Sequence, residues 1–204
     1  MKKSLFLSKH FTTIFFTAFF AISPFTTPAS AHSYHYEVQV TNALQANDKK
    51  QLESLRISFL YDVAVSNAML QDQNDLAKLG KSLISDLETL GYFTQVKLNG
   101  KVINTGRAIN IKLEKVNVKS EDGAYDALKL HFTLALKTPV SIDKNSEIAF
   151  YHEDPTDAAT LYYENAEHIL LGYSLKDSCK TSVKEKGKFA EGEFPQIIRI
   201  NCRS

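Results

Sequence analysis

The chain has 204 residues, with 24 Lys+Arg against 23 Asp+Glu, 44% hydrophobic residues, two Cys and no Trp. A formal charge of +1 without a basic stripe excludes the electrostatic footprint of a nucleic-acid binder, and no polybasic run marks an anionic-lipid site. There is no Gly-x-Ser-x-Gly elbow, phosphate-cradling glycine loop, dinucleotide fingerprint or catalytic Cys, so the chain does not read as an enzyme.

The chain opens with Lys2, Lys3 and Lys9, an apolar run from Phe11 to Ile22, and Ala29-Ser30-Ala31. This is the layout of a secretory signal peptide over residues 1–31, cleaved after Ala31, and it predicts an exported protein. The apolar run is too short for a membrane span, which takes roughly 20 residues, so no membrane insertion is expected. Residues 32–204 remain as one domain. Loss of three Lys and no acid turns the formal charge from +1 to −2. Seven of the 13 Phe leave with the leader, so the core depends on Leu, Ile, Val and Tyr.

Taken in chain order, most of that domain reads as strands. Tyr36 to Val40 and Leu55 to Phe59 alternate apolar and polar residues around the turn-like Asn47-Asp48-Lys49-Lys50, which predicts a hairpin. Val63 to Leu70 reads as a short helix. Leu76, Leu79, Leu83, Leu87 and Leu90 then recur every three or four residues, one face of a longer helix. Asn74 or Asp75 can cap it, and Gly91 sits where it should stop. Phe93 to Leu98 and Lys101 to Ile103 flank Asn99-Gly100, a two-residue hairpin turn. Ile109 to Val118 and Leu128 to Leu136 alternate around the polar turn 120–123. Ile148 to Tyr151 and Ile197 to Ile200 supply further strands, and 184–193 reads as a charged surface loop. The expected fold is mainly β, an antiparallel sandwich-like domain with an inserted amphipathic helix.

Cys179 and Cys202 are the two cysteines of a chain read as exported. A disulfide between them closes a loop of about 24 residues and tethers the C-terminal strand. Their spacing fits no zinc knuckle.

Candidate chemistry clusters at two places. Cleavage after Ala31 makes His32 the first residue, and its α-amine and imidazole form a chelate to which His35 adds a second ring. The alternative is a frayed terminus with exposed histidines. The second place is His152-Glu153-Asp154-Pro155-Thr156-Asp157, with Glu164 and His168 sharing a face if 160–168 is helical. These groups either complete a metal site begun elsewhere or form a polar loop capped by Asp154 or Asp157. Asp62 reads as a helix cap or a ligand, His131 as a solvent-facing strand residue, and Tyr162-Tyr163 as packing.

The motifs Ala31-His32-Ser33-Tyr34-His35, Tyr61-Asp62-Val63 before Ser66-Asn67-Ala68-Met69-Leu70, Leu87 through Tyr92-Phe93 to Asn99-Gly100-Lys101, and Tyr151 through Asp154-Pro155-Thr156 occur in this order. In this the chain resembles a family of small exported bacterial proteins of unknown function, often labelled the periplasmic component of an ABC-type transport system. The resemblance implies metal homeostasis. Relatives are encoded beside NicO-type nickel/cobalt/zinc exporters of the inner membrane, and the Zev-type zinc efflux system pairs such a periplasmic protein with an exporter. It also implies metal binding by His32 and His35. The chain departs from the pattern in placing these histidines at i, i+3 instead of i, i+2, and in carrying Ser33 for Pro. Its reduced acidic segment, Gln71 to Asp75, leaves too few oxygen ligands for calcium.

The expected function is a periplasmic accessory protein that binds a divalent transition metal, zinc first, for a transport or efflux system. Its candidate ligands are His32, His35, Asp62, His152 and Asp154. The alternative is a β-sandwich interaction module, without metal, that assists an envelope complex.

Overall fold

The computed structural model describes residues 36–72, 75–120, 123–185 and 196–203. The expected leader, His32, His35 and most of the 184–193 stretch lie outside these residues.

Strand β1 (Tyr36–Ala46) turns back into β2 (Gln51–Tyr61) through a loop built on Asn47. Its Oδ1 accepts the backbone N–H groups of Lys49 and Gln51, both at 3.0 Å. Two helices follow, α1 (Val63–Asp72) and α2 (Leu76–Thr89). Asp75 caps α2 by accepting from the Ala77 and Lys78 N–H groups. The buried line of α2 is Gly80, Ile84 and Leu87, with the other leucines of the stripe half-buried around it. Gly80 lets the helix approach β5 closely, because a Cβ there would lie 3.0 Å from the Leu113 Cβ.

Past α2, Gly91, Tyr92 and Phe93 all take positive φ, a left-handed turn that buries both aromatic rings. It leads into β3 (Thr94–Leu98) and β4 (Lys101–Val102), joined by Asn99 (φ 48°) and Gly100 (φ 78°) as the turn chemistry demands. Next come β5 (Thr105–Ser120) and β6 (Gly123–Ser141), both longer than their alternation suggests. Register shifts at 105–108 and 109–112 interrupt the two-residue period of β5, so its first part does not read as a strand.

The remaining elements are β7 (Glu147–His152), β8 (Ala159–Tyr162), β9 (Ile169–Leu171), the single-turn α3 (Tyr173–Lys176), β10 (Cys179–Glu185) and β11 (Gln196–Cys202). Residues 160–168, where a helix would have put Glu164 and His168 on one face, are instead β8 followed by a 3-10 turn at Ala166–His168. β8 and β9 are too short to show a period of their own.

The strands form two sheets. One has the order β5-β6-β2-β1-β8, with β9 also pairing with β1, and the other the order β10-β11-β7-β3-β4. The antiparallel expectation holds for most pairs, but β8 and β9 both run parallel to β1. Between the sheets lie Val38, Val40, Ile57, Phe59, Leu130, Phe132, Val96, Ile148, Phe150, Ile198 and Ile200, all 2% exposed or less. Phe59 anchors this layer, edge-on to Phe132 with ring centroids 5.3 Å apart and stacked on Phe93 at 6.5 Å.

Cys179 and Cys202 are register partners on β10 and β11 and are joined by a disulfide. Loop-closure entropy for a separation of 23 residues corresponds to roughly 3 kcal/mol. Reduction, or a Cys179→Ala/Cys202→Ala pair, should lower the unfolding free energy by about that amount. Denaturant titration with and without reductant measures it, and coincident curves would show the crosslink to be energetically idle.

Candidate functional site

Alternation along β7 points Ile148, Phe150 and His152 to the same side, into the core. His152 is 3% exposed, and its ring meets Phe59, Phe150 and Tyr163. Its polar partners come from three other segments. Thr94, opposite it in register on β3, brings Oγ1 to 2.9 Å from Nδ1. Tyr163, just past β8, places its hydroxyl 2.6 Å from Nε2, and Asn42 on β1 places its amide Nδ2 at 2.9 Å.

Donor bookkeeping sets the tautomer. The one hydroxyl hydrogen of Thr94 goes to the Tyr92 carbonyl at 2.8 Å, so Thr94 Oγ1 accepts from His152 and Nδ1 carries the ring proton. Nε2 is then the acceptor, for the Tyr163 hydroxyl and the Asn42 amide. Asn42 Nδ2 also donates to the Tyr163 oxygen, while its own Oδ1 is buried without a protein partner. The imidazole is therefore neutral. Burial pushes its pKa down to about 3, opposed weakly by a backbone hydrogen bond with Phe93. Burial drives the Tyr163 phenol far above its ordinary value, and the Asn42 hydrogen bond opposes that rise.

A second group of polar residues surrounds the start of β1. Asp62 follows β2 and caps α1: Oδ1 accepts from the Val65 N–H at 2.8 Å, and Oδ2 from the Glu37 N–H at 3.2 Å. Asp154 is buried and saturated. Its Oδ1 accepts from the Thr156 N–H and hydroxyl, and its Oδ2 from the Ala158 and Ala159 N–H groups. Both carboxylates act on the half-buried Tyr36, whose phenol is raised by burial first and by Asp154 and Asp62 next. Tyr162 is raised by burial, then by Glu37, Glu164, Tyr125 and Asp62. Glu164 accepts from Gln39 Nε2 at 2.8 Å and lies 3.6 Å from His168 Nε2.

The structure thus separates the predicted ligands. Asp62 and Asp154 flank Tyr36, whereas His152 is committed to the core network with both ring nitrogens engaged. Among the described residues, no three His, Cys, Asp or Glu side chains converge in a metal-holding arrangement. His131, expected at the surface, is half-buried, with Nδ1 2.7 Å from the Ser58 hydroxyl and Nε2 2.9 Å from Glu114.

A family model described as "Protein of unknown function (DUF1007)" matches residues 16–191. The chain belongs to that family. No curated protein matches this member of it. Among the residues of the buried network, sequence reasoning singled out His152 but missed Asn42 and Thr94, and read Tyr163 as packing. One signal was present: in Val38, Val40, Asn42, Leu44 the inward-facing series of β1 admits a single polar residue. Such a residue needs a buried partner.

Two outcomes test the network. Tyr163→Phe removes one of the two donors to Nε2 and should cost about 1–2 kcal/mol in denaturant unfolding. Below its ordinary pKa of about 6.5 the unfolded chain protonates this imidazole, while the folded chain resists down to about 3. Folded stability therefore falls as pH drops through that window. Relative to His152→Leu, wild type should lose up to about 2 kcal/mol between roughly pH 7 and pH 5. A difference that stays constant with pH contradicts the buried neutral imidazole.

Proposed function

We propose that this protein is a periplasmic accessory that binds a divalent transition metal, zinc first, and hands it to or regulates a NicO-type inner-membrane exporter. The observation that carries the reading is the position of Tyr36. The chain enters β1 there between Asp62 and Asp154, with Glu37 beside it, so the segment bearing His32 and His35 is joined to an acidic corner of the domain. Family membership fits a resemblance to exported proteins labelled as periplasmic transport components, the Zev-type zinc efflux partner among them. The disulfide is compatible with an oxidising compartment, and among the described residues no helix is long and apolar enough to cross a membrane.

The donor chemistry narrows the ligand set. His152 does not fit, because it is buried and neither ring nitrogen is free. Asp154 does not fit either, because each oxygen already accepts two hydrogen bonds. Asp62 does fit: each oxygen accepts one backbone N–H and keeps acceptor capacity for a metal ion. The proposed set is the His32 amine and imidazole, the His35 imidazole and Asp62. Nitrogen donors with one carboxylate suit zinc, nickel or cobalt better than calcium or magnesium. A ligand set of this kind buffers or delivers the ion and calls for no turnover.

Zinc titration into protein processed after Ala31 should show binding that weakens tenfold or more in His32→Ala. Affinity should also fade as pH falls below about 6.5, where imidazoles protonate. Equal, weak binding by both proteins, or affinity unchanged between roughly pH 7.5 and pH 5, removes the metal assignment.

A further inference from the structure

At the end of the sandwich opposite the acidic corner, three connections and the segment past β11 meet around a recess of about 250 Å³. Lys49 and Lys50 come from the β1–β2 turn, Asp143 and Lys144 from the β6–β7 turn, Ser178 from the segment before β10, and Arg203 from just past β11. In the sequence these cations are separated by up to 154 positions, so no charged run announces them.

Backbone hydrogen bonds tie the segments around the recess together. The Ile142 N–H donates to the Lys50 carbonyl at 2.9 Å, and the Arg203 N–H to the Ser178 carbonyl at 2.7 Å. The Asn145 N–H donates to the Cys202 carbonyl at 2.9 Å, and the Cys202 N–H to the Ser146 carbonyl at 3.0 Å. Cys202 forms part of the wall, and its disulfide to Cys179 clamps the strand that presents Arg203. The lining thus holds four cationic residues and one carboxylate, Asp143. None of the cations makes an ion pair with a described acid, and the Ser178 hydroxyl is turned to the Leu175 carbonyl. The chain as a whole is nearly neutral, so this is a local concentration of positive charge.

We propose that this recess binds a phosphoryl oxyanion, the phosphate of a soluble phosphate compound or of a lipid headgroup. A tetrahedral phosphoryl group, with its several acceptor oxygens, matches ammonium and guanidinium donors arriving from different segments better than a planar carboxylate does. The volume admits a small phosphate compound, not an extended chain. β1 runs from the acidic corner to this recess, and at roughly 3.3 Å per residue its 11 residues set the two ends about 33 Å apart. Anchoring on phosphate would leave the acidic corner facing away from the anchor. The inference does not depend on metal binding.

The test uses the purified protein and two probes, inorganic pyrophosphate by calorimetry and vesicles of phosphatidylcholine with or without phosphatidylglycerol by co-sedimentation. Lys49→Ala/Lys144→Ala should weaken binding at least tenfold. A control pair of equal charge, Lys101→Ala/Lys137→Ala, should change it less than twofold. All four side chains are exposed, so both variants keep the fold, which circular dichroism checks. Pyrophosphate binding with this pattern identifies a soluble phosphate ligand, and binding only to phosphatidylglycerol vesicles identifies a headgroup. Either supports the proposal, and either should decline with added salt. Failure of both probes at low salt, or equal weakening by the two variant pairs, overturns it.

Discussion

A neutral imidazole enclosed between two sheets organises this domain. His152 gives its one proton to Thr94 and receives hydrogen bonds from Tyr163 and Asn42, so a single ring ties β7 to β3, to β1 and to the segment after β8. Apolar packing supplies most of the stabilisation of such a core, but it is non-directional and tolerates small slips. A buried polar group without its partners costs about 1–3 kcal/mol, so slipping either sheet against the other would strand several groups together. The network therefore works as a register pin for layers that are otherwise held by Phe59, Phe132, Phe150 and their aliphatic neighbours.

Around this pin, polar residues at the two ends of the sandwich differ in kind. At the start of β1 the carboxylates of Asp62 and Asp154 are used locally, one as a helix cap and the other to close a turn. The phenols of Tyr36 and Tyr162 sit in their field. At the far end, lysines and an arginine gather with a single carboxylate. Loops at both ends are positioned by the same strands, so the spacing between the two charged ends is as rigid as β1 and β2.

The left-handed turn at Gly91-Tyr92-Phe93 links the helical insertion to this arrangement. Gly91 adopts positive φ without strain, but Tyr92 and Phe93 do not, and the surroundings must hold them there. Both rings are buried, the Tyr92 hydroxyl accepts from the Ala108 N–H at 3.0 Å, and the Tyr92 carbonyl terminates the hydrogen-bond chain that begins at His152. The end of α2, the edge strand β5 and the core imidazole are thus coupled through one turn.

The local sequence determined the features that depend on short-range chemistry. The Asn99-Gly100 hairpin, the leucine stripe of α2 with Asp75 before it and Gly91 after it, and the alternating strands at β1, β2, β6, β7 and β11 were all legible, because propensity and period act over a few residues. The two-cysteine disulfide was legible too, since only one pairing exists. Short β8 and β9, the bulged start of β5 and the left-handed turn were not, since each is imposed by neighbours distant in the chain. The same holds for the polar residues. His152 looked like a metal ligand because its neighbours in sequence are Glu and Asp, yet strand alternation turned it into the core and gave it Thr94, Tyr163 and Asn42. The basic recess was invisible because Lys49, Lys144 and Arg203 are brought to one end of the sandwich only when two turns and the segment past β11 come together. Composition and periodicity specify which faces are buried; which polar groups meet is decided by sheet order, and that exists only in three dimensions.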